Sequence, residues 1–190
     1  ITLQDVEYAE SWGGVIKLIG QVKKLDDGRI DVAVAPMFIE ENSQLANVDD
    51  VFNGILVRGD ATGDVVFYGK GAGKLPTASA VVADIIDCVK HFKARKYLYW
   101  EDGAEQYVLP YEDSVISVYL RGHAQDADAA VEKAEELFGK VRRLYRDGAE
   151  EQEFAFMAAQ EMKIRDIQEK VEILKNSGVS VDSLIRVSDL

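Results

Sequence analysis

The hydrophobic period of the chain switches repeatedly between two and 3.6 from Ser114 to Val187, and few folds accommodate that order. SVISVYLRG reads as a strand. DADAAVEKAEELFGKVR reads as a helix, with Asp126 or Asp128 near its start and Val131, Ala134, Leu137, Phe138 and Val141 on one face. RRLYRDG and EFAFMAA are two further strands. KIRDIQEKVEILKNSG is a second helix with a Gly178 stop signal, and VSVDSLIRV closes as a strand. The order is β-α-β-β-α-β, the ferredoxin-like split βαβ arrangement, over residues 114–190.

Residues 1–95 have another rhythm, and the chain as a whole reads as α+β with an antiparallel or mixed sheet and helices. TLQDVEYAES is a short helix, with Thr2 as N-cap, Asp5 in the capping-box position and Gly13-Gly14 at its end. VIKLIGQVKKL and RIDVAVAPMFI are strands joined at Asp27-Gly28, with Ile30, Val32 and Val34 on one face and Pro36 marking a sheet edge or a bulge. VFNGILVRGD and DVVFYGK follow, so four strands predict an antiparallel meander. A helix is expected over 76–95, with Pro76 as its first residue and an apolar stripe at 78, 81, 82, 85, 86 and 89. Residues 96–113 form a connector. Its aromatics Tyr97, Tyr99, Trp100, Tyr107 and Tyr111 fit either a site or the cover of a domain junction.

The stretch with most chemical content is YGKGAGKLPTASAVVAD, Tyr68 to Asp84. A strand runs into three alternating glycines and a helix leaves them, the context of a phosphate cradle. The spacing is neither G-x-G-x-x-G nor a P-loop, because Lys74 is followed by Leu75. By spacing alone, a structural turn and an anion cradle both remain open. No acid, base or nucleophile in a recognisable constellation accompanies it, so no catalytic residue is expected in the chain itself.

Charge narrows the partners. The net charge of −12 argues against nucleic acid and anionic membrane, which need a basic surface. One cysteine, Cys88, permits no internal disulfide and fits a reducing, cytoplasmic compartment. Cys88, His91 and His123 do not make a zinc site of the usual kind, so no metal is expected. No apolar run approaches the ~18 residues of a membrane span.

The run from Pro36 to Asp87 resembles the C-terminal part of the catalytic region of homoserine dehydrogenase. The matching features are Pro36, Leu45 to Val48, Val51-Phe52-Asn53, Gly59-Asp60, Phe67-Tyr68-Gly69, Gly71-Ala72-Gly73, Pro76 to Ala80 and Asp84. ITLQDVEYA and IKLIG extend the likeness to the start of the chain, so it covers residues 1–95. The resemblance implies NADP- or NAD-dependent interconversion of L-homoserine and L-aspartate 4-semialdehyde, in threonine and methionine biosynthesis. It also implies a cofactor-binding role for Gly71, Ala72 and Gly73, with Thr77 and Ser79 beside them, and dimerisation through the sheet. The family's nucleotide-binding domain and proton-donating lysine precede this segment. The chain is therefore expected to be a C-terminal fragment, inactive on its own.

Residues 114–190 resemble an ACT-type regulatory domain. The resemblance implies an amino-acid effector at the loop after the first strand, which places Gly122, His123 and Asp126 as regulatory ligands. That loop, RGHAQDADAA, lacks the family's proline turn. A stand-alone ACT-type amino-acid sensor, or a module used only for dimerisation, is the competing reading.

Overall fold

A computed structural model describes residues 1–94, 99–103 and 106–188. Ile1–Asn42 together with Ala104–Leu190 form one compact unit, and Ser43–Gly103 form a second.

The first unit opens with α1 (Leu3–Trp12), which ends at Gly13 in the left-handed conformation, φ 92°. Two strands, β1 (Gly14–Lys24) and β2 (Ile30–Glu40), make a hairpin in register over their whole length. The hairpin is not part of a four-strand meander as expected. It extends a sheet built by the distant end of the chain. Downstream come β5 (Val115–His123), α3 (Ala127–Phe138), β6 (Val141–Leu144), β7 (Glu153–Ala158), the two-residue β8 (Met162–Lys163), α4 (Ile164–Asn176) and β9 (Ser180–Val187). The sheet order is β1-β2-β9-β5-β7-β6, with β8 beside β5. Val141, expected on a helix face, opens β6 after Gly139 ends α3.

The join is the parallel pair β2–β9, Met37 with Arg186 and Phe38 with Val187. Along β2, alternation gives way at Met37 to three consecutive buried apolar residues, Met37, Phe38 and Ile39. A strand apolar on both faces belongs inside a sheet. Pro36 precedes the point where β9 takes up pairing, so the missing N–H costs no ladder bond there.

The sheet is covered on both faces. Val118, Leu120, Phe154 and Phe156 pack with Ala130, Ala134 and Phe138 of α3 and Ile167, Val171 and Leu174 of α4. On the other face Tyr119, Ala155 and Ile185 pack with Tyr8 and Ala9 of α1, and Phe38 stacks on Tyr119 with ring centres 4.4 Å apart. Toward the hairpin the cover runs out. Leu18, Val22 and Val34 lie on one face and are 74%, 69% and 74% exposed.

In the second unit β3 (Phe52–Gly59) and β4 (Gly63–Lys70) pair only with each other among the described residues, and α2 (Lys74–Lys90) follows. The helix starts two residues before Pro76 and ends earlier than expected. None of its residues is buried: the stripe of Val81, Val82, Ile85, Ile86 and Val89 is exposed. No helix among the described residues is long and apolar enough to cross a membrane.

Candidate functional site

The glycine turn is pinned from one side. Asn53 of β3 pairs with Gly69 of β4, and its side-chain amide occupies the space a Cβ on Gly71 would take, with Nδ2 only 1.6 Å from that position. Gly73 caps α2 at φ 116°, ψ 155°, a region open essentially to glycine. Its carbonyl accepts from the Thr77 N–H at 3.2 Å. Gly71, Ala72 and Gly73 are exposed, as are Thr77 and Ser79 in the first turns of α2. Lys70 and Lys74 flank the turn, and no acidic residue occupies the first helical turn. Small side chains at Ala78, Ser79 and Ala80 keep the helix start thin. Exposed N–H groups, the positive end of a helix dipole and two lysines suit an anionic group such as a dinucleotide phosphate. Gly73→Ala should cost about 1–3 kcal/mol locally, because an alanine resists that backbone conformation. Faster hydrogen exchange at the first amides of α2, with the first unit unchanged, is the expected readout.

The three residues expected in the loop after the first strand do not act as a set: Gly122 and His123 are the last residues of β5, and only Asp126 lies beyond it. Asp126 caps α3, accepting from the Ala129 N–H at 3.0 Å, and lines a cavity of 590 Å³ with Lys133 and Gly178. Gly122 sits at a register shift between β5 and β9, where a Cβ would stand 2.2 Å from the Ser180 carbonyl oxygen. His123 turns to Asp182, Nδ1 to Oδ2 at 2.5 Å, and its Nε2 lies 3.7 Å from Glu153. Cys88 is exposed, and His91 contacts Asp87 at 2.9 Å. Of the connector aromatics, Tyr99, Trp100, Tyr107 and Tyr111 are exposed, and Tyr97 lies outside the described residues.

Sequence reasoning missed a buried ionic network beneath α1. The Asp5 carboxylate is fully buried and accepts from Arg121 Nε at 2.8 Å, Tyr119 Oη at 3.2 Å, Ser183 Oγ at 2.9 Å and the Thr2 N–H at 2.7 Å. Glu153 accepts from Tyr8 Oη at 2.8 Å and Arg146 Nε at 2.7 Å. Burial alone would raise both carboxyl pKa values. The hydrogen bonds from Arg121, Thr2 and Ser183 at Asp5, and from Arg146 and Tyr8 at Glu153, outweigh it and hold both below the ordinary carboxylate range. Burial raises the Tyr8 and Tyr119 phenols, and the neighbouring carboxylates raise them further, so both remain donors. Because the folded carboxyls ionise more readily than unfolded ones, their contribution is present above the unfolded pKa. It is lost as pH falls through about 4 toward the lower folded values. Urea midpoints should therefore hold between about pH 7 and 5 and fall below about pH 4, and Asp5→Asn should flatten that fall.

A family model described as homoserine dehydrogenase matches residues 1–86. A homoserine dehydrogenase of Neisseria gonorrhoeae is 42% identical over 130 residues, 65% of this chain and 30% of that protein. One from Pseudomonas aeruginosa is 32% identical over 164 residues, 80% of this chain and 38% of that protein. Among solved structures, a homoserine dehydrogenase from Thiobacillus denitrificans aligns over the whole chain with a TM-score of 0.81 and 28% identity, covering 46% of that protein's chain. The S. aureus enzyme aligns likewise with a TM-score of 0.70 and 28% identity. The chain spans less than half the length of each of these relatives.

Proposed function

Residues 1–86 belong to the homoserine dehydrogenase family, and on that footing we propose that this chain supplies the cofactor-facing and regulatory parts of such an enzyme. The reaction interconverts L-homoserine and L-aspartate 4-semialdehyde in the cytoplasm. NADP or NAD, when bound, supplies the hydride-transfer chemistry. The observation that carries the reading is the Gly71–Gly73 turn: it is held by Asn53 on one side and exposed on the other. Its residues fit a pyrophosphate. Gly71 and Gly73 offer backbone without a Cβ, Ala72 adds only a methyl group, and Thr77 and Ser79 offer hydroxyls one turn on.

The exposed apolar stripe of α2 supports a covering domain, which in this family is the nucleotide-binding fold. The uncovered face of β1–β2, with Leu18, Val22 and Val34, supports pairing with a second copy of the chain. Residues 115–187 act as a ferredoxin-like ACT-type domain. Two features support that reading: the sheet order β9-β5-β7-β6, and the position of both helices on one face. An amino-acid effector enters the cavity lined by Asp126, beyond Gly122 and His123.

A chimera joining this chain to the preceding half of the Thiobacillus denitrificans enzyme should oxidise homoserine with NADP, whereas the 190 residues alone should not. Robust turnover by the chain alone, or an inactive but folded chimera, would refute this division of roles. Calorimetry with threonine and methionine tests the effector site. Heat that disappears with Asp126→Ala supports it, and no heat with either amino acid reduces the domain to a structural role.

A further inference from the structure

At the other end of β5 from the Asp126 cavity, residues of the first unit enclose a second cavity of 560 Å³. Arg186 lies in its wall, on β9 between Met37 of β2 and Val118 of β5. Its side chain is more than nine-tenths buried: the residue is 8% exposed. The guanidinium lies over the Tyr111 ring at 5.4 Å. Nη2 is fully enclosed and has no hydrogen-bond partner, and Arg186 makes no ion pair among the described residues. The other buried charges among the described residues are matched: Arg121 with Asp5, and Glu153 with Arg146. Nη2 is the sealed atom; the rest of the guanidinium has no acceptor among the described residues and stands in the cavity wall, which points to an acceptor from outside the chain.

We propose that this cavity binds a small carboxylate, whose oxygens accept from Arg186. Planar, forked donors match a carboxylate in two-point contact. Lys163 and the Ser188 hydroxyl lie in the same wall, and Trp12, Met37 and Leu109 give an apolar side for a short aliphatic chain. Four basic and four acidic side chains line the cavity among the described residues, so it carries no net charge to hold a polyanion. A monocarboxylate, or one bearing its own ammonium group, suits that balance; inorganic phosphate does not. The site is separate from the glycine turn and from the Asp126 loop, and its existence does not depend on the dehydrogenase reading.

Trp12 reports on the cavity once Trp100, the other tryptophan, is replaced by phenylalanine. Titration of the 190-residue W100F chain at constant ionic strength with sodium butyrate, L-2-aminobutyrate, phosphate and chloride tests the proposal. A saturable change in Trp12 emission with butyrate, with L-2-aminobutyrate or with both is the expected result, with phosphate and chloride silent. Arg186→Gln should weaken binding about tenfold or more, the loss expected for a charge-assisted contact. Arg186→Met should abolish binding and leave the thermal midpoint unchanged or higher, because it removes an unmatched buried donor. Silence with both carboxylates, an equal response to phosphate or chloride, or binding undiminished by Arg186→Gln overturns the proposal. So does a lower midpoint in Arg186→Met, which would assign the guanidinium to folding.

Discussion

Arg121→Ala is expected to destabilise the first unit by about 3–5 kcal/mol, measured by urea unfolding at neutral pH. The substitution removes little apolar packing. Its cost lies in what stays behind: the Asp5 carboxylate, fully buried, with Tyr119, Ser183, and the N–H and hydroxyl of Thr2 as its remaining donors. A carboxylate in that position has lost the cation it pairs with, and neutral donors do not replace one. The carboxyl pKa should then rise, because burial is no longer opposed by Arg121. The double change Asp5→Asn with Arg121→Met removes both charges and should recover much of the loss, a coupling a double-mutant cycle would register. If Arg121→Ala costs under about 1 kcal/mol, the network contributes no more than a surface ion pair.

Phe156→Ala should cost about 3–5 kcal/mol by the same measurement. Phe156 is 0% exposed, stands 5.6 Å from Phe138 of α3 and 6.4 Å from Phe154, and lies in a strand with all six residues buried. Strands β5 and β6 flank it, and α3 and α4 cover its face. Neighbours held by backbone pairing on both sides cannot close over the space, so the cavity term adds to the lost transfer energy. A smaller change, Phe156→Leu, should cost under half as much.

Most elements of residues 115–187 were legible from clean local signatures, EFAFMAA with no polar break and a second helix with a stop signal at Gly178. The first helix, however, reads on through Gly139, where it ends, and the two-residue β8 goes unread. The glycine turn was legible for the same reason. The membership of β1 and β2 was not, because their short connection argues for their sequence neighbours β3 and β4. The contrary signal lay in Met37-Phe38-Ile39, three apolar residues running where a half-exposed strand would alternate. That run says a strand is interior and does not say to which sheet. The ionic network was hidden for a different reason: Asp5, Arg121, Glu153 and Ser183 are ordinary surface types in sequence, and only packing removes them from water. His123 was legible as a polar residue after a strand, but its partner Asp182 lies on β9, beyond any local pattern.

The parallel pairing of β2 with β9 also sets a timetable. Met37 and Phe38 are synthesised long before Arg186 and Val187, the residues they pair with. At about 5–20 residues per second, the wait during translation is on the order of ten seconds. Through that interval the Met-Phe-Ile segment has neither its neighbouring strand nor the ring of Tyr119 beneath it. Ser43–Gly103, a continuous stretch, carries no such delay. Aggregation pressure on the nascent chain therefore concentrates in β2, the segment a holding chaperone would have most reason to cover.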